Sequence, residues 1–114
     1  MYRIVSGLLA VGLMLGACAS EPPEVPLGPD GLPDLVLATG RGVYGEHCAS
    51  CHGRSGGGGQ GPQLNAGVVI ANYPNISDQV AVIADGSGSM PSFAKRLSQA
   101  DLEAVTRYTR EVLS

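Results

Sequence analysis

Five consecutive residues, Cys48-Ala49-Ser50-Cys51-His52, bring two thiols and an imidazole together on little more than one turn of chain, and no other stretch limits the fold so strongly. Residues three apart on a helical turn share a side, so Cys48 and Cys51 face neighbouring edges of one bound group while His52 points inward beside them. Three chemistries use such a set. Zinc takes four ligands, usually from two separated segments, yet the nearest further candidate is His47, which would crowd all four into six consecutive residues. A redox dithiol expects a βαβ setting, and no strand pattern surrounds the pair. Covalent haem attachment needs two thiols to add across two vinyl groups and an adjacent imidazole to ligate the iron, which is what C-x-x-C-H supplies.

The rest of the chain is short of apolar mass. Its 114 residues include one Phe, four Tyr and no Trp, and a domain this small gains from a large apolar insert. The start is not part of that domain. Met1-Tyr2-Arg3 is a short basic opening, and Ile4 to Leu15 is an apolar run too short for the roughly 20 residues that span a bilayer. It reads as an export signal over 1–17. Leu15-Gly16-Ala17-Cys18 resembles the bacterial lipoprotein signature, which implies cleavage before Cys18 and acylation of that residue; the plainer alternative is ordinary cleavage that leaves a free thiol. Two or more acyl chains make such attachment stable.

Residues 18–37 then read as a tether. Pro22, Pro23, Pro26, Pro29 and Pro33 stand among acids and glycines, a composition that favours extended chain over helix or strand. Fully extended, roughly 20 such residues reach on the order of 60 Å. Glu21, Glu24, Asp30 and Asp34 belong to this segment, whereas residues 38–114 hold six basic and six acidic side chains. The expected domain is therefore near neutral, with weak steering of partners by net charge and only a modest dependence of association rate on salt. No basic run tracks a phosphate backbone, which excludes nucleic acid as the expected partner.

The chain after residue 38 carries helical patterns and turns. Ser98-Gln99-Ala100-Asp101 is a capping box in its Asp form, with Leu97 and Leu102 placed as a hydrophobic staple. Leu102, Val105, Tyr108 and Val112 recur at helical spacing, with Glu103, Arg107 and Glu111 able to pair along another face. Ser77 to Ala84 reads as a short helix stopped at Gly86, with Ile76, Val80 and Ile83 on one side. The run Arg54 to Gly61 lacks the Lys-Ser/Thr ending and preceding strand of a phosphate loop, and reads as a flexible surface connection bordering the cofactor.

A haem iron held by His52 needs a second axial ligand. Met90 is the only methionine beyond the signal segment; His47 lies on the same short element as His52, and Lys95 is ordinarily protonated and solvated. Met90 sits in a glycine-serine loop closed by Pro91, suited to a strap across a cofactor. A lone Met is more often a core filler, but this context reverses that prior. His/Met ligation fills both axial positions and raises the potential.

Together these residues resemble the small class I mono-haem cytochromes c over nearly all of Thr39 to Ser114. Gly40 and Tyr44 stand before the first haem cysteine where the family has a small residue and an aromatic, Gly61-Pro62-Gln63-Leu64 matches its Gly-Pro-x-Leu element, and Met90-Pro91 with Phe93 looks like its ligand loop. The resemblance implies an all-α fold of three to four short helices packed around one covalently attached haem c. It implies that the Pro62 carbonyl orients His52, that Leu64 packs on the haem, and that the last helix crosses the first near Gly40 and Tyr44.

The functional expectation is one-electron outer-sphere transfer by a His52/Met90-ligated haem held through Cys48 and Cys51. No catalytic acid–base or nucleophilic set is visible, so an enzyme is not expected. The expected partners are membrane-bound respiratory or dehydrogenase redox proteins, met by a monomer anchored through Cys18 to a bacterial membrane and facing the periplasm or outer surface. Two alternatives stay open: a fixed haem subunit of a multi-subunit dehydrogenase or oxidase, and a haem-based gas sensor in which Met90 dissociates.

Overall fold

The computed structural model describes residues 21–114. The expected signal segment 1–17 and the expected acylation site Cys18 lie outside the described residues. Among the described residues there are five helices and no strands: α1 (Leu35–His47), α2 (Ala49–His52), α3 (Val68–Asn72), α4 (Ile76–Asp85) and α5 (Gln99–Glu111). The all-α expectation of three to four helices thus meets three helices of ten residues or more and two of four and five residues. None of these is long and apolar enough to cross a membrane.

Local chemistry sets the helix ends. Asp34 caps α1, its Oδ1 accepting from the Val36 N–H at 2.8 Å and the Leu37 N–H at 3.2 Å, which satisfies donors that have no partner inside the helix. α1 therefore begins three residues inside the segment read as tether. Composition alone places the boundary at residue 37, whereas the Asp34 carboxylate belongs to the helix as its cap. At the other end of the chain, Ser98 Oγ accepts from the Asp101 N–H at 3.1 Å, and Leu97 and Leu102 are both buried, as the capping box and staple predict. α4 follows Asn75, whose side chain makes no capping hydrogen bond, and stops at Gly86, one residue wider at each end than its sequence pattern.

α1 and α5 cross and share most of the inter-helix packing. A Cβ built on Gly40 would collide with the Ala104 carbonyl oxygen and lie 2.8 Å from Tyr108 Cβ, so only glycine permits this approach. Tyr44 and Tyr108 stack next to it with ring centroids 5.7 Å apart at 46°. Both are fully buried along with Val105 and Thr106, and full burial of one such large apolar side chain contributes roughly 1.5–3 kcal/mol. The polar face of α5 follows its sequence reading in part: Arg107 pairs with Glu111 at 2.7 Å, as the spacing allows, and also with Asp34 at 3.2 Å, while Glu103 accepts from Gln99 instead of pairing with Arg107.

The proline-rich segment does not run free. Arg41 Nε donates to the carbonyls of Pro22 and Pro23 at 3.1 and 3.2 Å, Tyr108 Oη donates to Pro23 O at 2.6 Å, and Val25 packs against the core. From residue 21 onward the folded unit holds six basic against ten acidic side chains, a balance of −4. The near neutrality expected of residues 38–114 therefore does not describe the folded unit, because the returning segment adds its four carboxylates.

Candidate haem site

Two short hydrogen bonds start the site. Cys51 N and His52 N both donate to Cys48 O, at 3.2 and 3.0 Å, which winds Cys48 to His52 into the single turn of α2 directly after α1. Both thiols are free and half-buried. Burial pushes the Cys48 thiol up to about 11, and the nearby Cys51 acts in the same direction. His52 is buried.

The glycine-rich run that follows is not the loose connection its composition suggests. It wraps back on α2: Gly58 N donates to His52 O at 2.8 Å, Gly61 N to Cys51 O at 2.8 Å, and Leu64 N to Gly56 O at 2.7 Å. A Cβ on Gly61 would lie 2.9 Å from both Cε1 and Nδ1 of His52, so the backbone presses against the imidazole where any side chain would displace it. Immediately after, the Pro62 carbonyl lies 2.8 Å from His52 Nδ1. A carbonyl only accepts, so Nδ1 carries the proton of this hydrogen bond and Nε2 is the ring nitrogen left for another partner. Sequence reading placed Pro62 here by resemblance and missed why Gly61 precedes it; the signal was a glycine whose neighbour is the histidine ring.

Two adjoining cavities, of about 410 and 300 Å³, open beside this element. They share five lining residues: Cys48, His52, Pro62, Ser87 and Met90. The larger is bordered by Cys51, His47, Gln60, Pro91, Phe93 and Arg96. The inner one is walled by Leu64, Val69, Val82, Ile83 and Val105, with Tyr73, Gln79 and Thr109 as polar members. His47 borders the larger cavity only, in edge contact with Phe93 at 5.9 Å, and Lys95 borders neither. Ser87 and Met90 pair through their backbones, at 2.9 and 3.1 Å, and this tight turn presents Met90 to both cavities.

The donor set fits a porphyrin. Two free thiols, an imidazole held in one orientation, a thioether from a distant loop and an apolar wall line the two adjoining cavities. Among the described residues no group of three or more His, Cys, Asp or Glu side chains could hold a metal ion.

Fold and slot together define a class I c-type cytochrome domain. A family model described as cytochrome c oxidase, cbb3-type, subunit III matches residues 36–108, and the chain belongs to that family: it is a small mono-haem c-type cytochrome with one covalently bound haem. It is similar to a cytochrome c6 of Synechocystis sp., 35% identical over 74 residues, which are 63% of this chain and 62% of the relative. It is also similar to the cbb3-type cytochrome c oxidase subunit FixP of Azorhizobium caulinodans, 32% identical over 87 residues, covering 68% of this chain and 30% of that subunit. The chain thus spans under two thirds of the length of either curated relative. Among solved structures, cytochrome c6C from Synechococcus sp. aligns with a TM-score of 0.56 and 25% identity over 64% of this chain and 92% of that one.

Proposed function

We propose that this cytochrome is a one-electron outer-sphere carrier in which Cys48 and Cys51 bind the haem through thioether bonds and His52 and Met90 are its axial ligands. One observation carries the reading: among the described residues, His52 is the only imidazole that lines both cavities, and Met90 the only sulfur besides Cys48 that does so. The haem supplies a ferrous–ferric couple. The protein's part is positional. Pro62 O holds the His52 ring in one orientation through Nδ1–H, as outer partners of metal ligands do, and Gly61 keeps the ring from swinging away. Leu64, Val69, Val82, Ile83 and Val105 keep the inner wall dry, and a dry wall favours the form with less net charge. Cys51 and Ser50 stay partly open to solvent, so this edge is where a partner would exchange an electron.

The same reading takes 1–17 as an export signal and Cys18 as an acylated anchor, which leaves the haem domain monomeric on the outer side of a bacterial membrane and facing redox proteins of that membrane. A second reading, a haem subunit fixed inside a larger oxidase or dehydrogenase, is favoured by the description of the matching family and by the likeness to FixP. Purification from native membranes separates the two: a carrier comes away alone, a subunit in stoichiometric company.

The ligand assignment is tested by the weak far-red sulfur-to-iron absorption of the ferric form. It is expected in the unmodified protein and lost in Met90→Ala; its absence from the unmodified protein overturns the assignment. Rapid stoichiometric binding of carbon monoxide at neutral pH would instead favour a gas sensor. Mass spectrometry of the mature chain reads haem count, cleavage before Cys18 and acylation together.

A further inference from the structure

We infer that residues 21–34 are a clamped strap that converts the lipid tether from a long leash into a short orienting mount, holding the haem-attachment end of the domain against the bilayer. The inference rests on the proposed acylation of Cys18.

A polyproline-type chain makes no internal hydrogen bonds, so its carbonyls are free for outside donors. Here they are taken. Arg41 Nε divides between Pro22 O and Pro23 O, its Nη2 reaches Glu21 Oε2 at 3.3 Å, and Arg54 Nη1 donates to Glu21 O at 3.2 Å. The buried Tyr108 donates its hydroxyl to Pro23 O. Pro22 also seats on Gly45, where a Cβ would be 3.3 Å from the proline ring, and the half-buried Val25 packs against the core. These contacts come from α1, α5 and the loop after α2, so the strap is fastened across three elements.

The polarity of the strap decides what it does. It runs antiparallel to α1: its later part turns at Gly28–Leu32 and feeds into Asp34 at the start of α1, while Pro22 and Glu21 lie at Gly45 and Arg54, close to Cys48 and Cys51. The chain therefore leaves the domain at the haem-attachment end. From Cys18 to Glu21 is three residues, a reach of at most about 11 Å, in place of the on-the-order-of 60 Å that an unclamped spacer allows. A haem mounted so close to the lipid surface serves a redox partner whose own electron-exchange site lies at that surface, within the same membrane.

The acylated haem protein in phosphatidylethanolamine–phosphatidylglycerol vesicles with a headgroup-linked fluorophore tests this, because haem quenches the dye by energy transfer that falls steeply with distance. Strong quenching is expected from the native chain. It should drop several-fold when a flexible glycine-serine spacer of about twelve residues, roughly 20 Å of r.m.s. length, is inserted between Ser20 and Glu21. That insertion leaves every strap contact in place. Releasing the strap with Arg41→Gln and Tyr108→Phe should act in the same direction with the haem spectrum unchanged. Vesicle-bound protein that quenches no more strongly than the spacer variant overturns the mount. Protein that fails to sediment with vesicles overturns the anchor reading and the mount with it.

Discussion

The two sides of this small domain are built on different terms. On one side α1 and α5 meet at Gly40, bury Tyr44, Val105 and Tyr108, and are strapped by residues 21–34. That side is a complete protein core. On the other, α3, α4 and the Met90 turn face α5 across a slot lined by His52 and Met90, and they have far less helix-to-helix packing. α2 and α3 hold only four and five residues, too few to be stable alone. Ile83 of α4 does reach the shared core, so the contrast is one of degree: the α3–α4 side is expected to depend on the bound haem more than the α1–α5 side does.

The largest expected effect tests that division. In Cys48→Ser with Cys51→Ser, covalent haem should vanish completely, and the released chain should lose amide protection in α3 and α4 first, with α1 and α5 the last to exchange. Hydrogen exchange followed by mass spectrometry reads this segment by segment. If all five helices lose protection together, the two sides are one cooperative unit and the comparison is wrong.

A pair of glycine substitutions in α1 sharpens it. Gly40→Leu must push α5 away through the Ala104 carbonyl, and overpacking of this kind costs typically 1–3 kcal/mol, with the upper end expected where backbone is the obstacle. Gly42, on the exposed face of the same helix, has nothing within 4 Å of a built Cβ. Gly42→Ala should therefore stabilise the protein by about 0.5–1 kcal/mol through helix propensity alone. Urea denaturation of both haem-bound variants measures the two signs; equal effects would mean that α1 is not held by the α5 contact.

The legible parts of this molecule were those with local chemistry. The α5 cap at Ser98, the staple of Leu97 and Leu102, the stop at Gly86 and the α2 motif each depend on residues a few positions apart, and a few positions apart is what a sequence displays. The strap was not legible because its partners are distant: Tyr108 is 85 residues from Pro23, and Arg41 is 18. Proline and acid content spoke for extended chain, but it hid the turn at Gly28–Leu32 and said nothing about which side chains would donate to the segment's carbonyls. The glycine run failed for a related reason. Composition averages glycines that do different work, and Gly61 against the His52 ring is a contact, not a propensity.

Smaller effects are expected at the helix ends of the complete side. Ser98→Ala removes the acceptor for the Asp101 N–H and should cost about 1 kcal/mol, read from the same urea curves with an unchanged slope. A loss well below this would show that α5 is held by the α1 crossing alone and that its cap is redundant.

The smallest effect is also the one with a sign to work out. The Leu37 N–H holds the Asp34 carboxyl below its ordinary value of 3.8, partial burial opposes this, and Arg107 and the Val36 N–H add to the lowering. A carboxylate with a depressed folded-state value stabilises the fold above its unfolded value, and that contribution is lost as pH falls through the lower folded-state value. Asp34→Asn retains a good capping side chain and removes both the titration and the ion pair with Arg107. The variant should therefore lie slightly below the native protein at neutral pH and converge with it as the acid limit is approached below pH 3.8. Thermal melts across that range give the two curves. Parallel curves would mean that the carboxyl is not depressed in the folded state, so that neither the capping N–H groups nor Arg107, the ionic link between the start of α1 and α5, favours its ionised form.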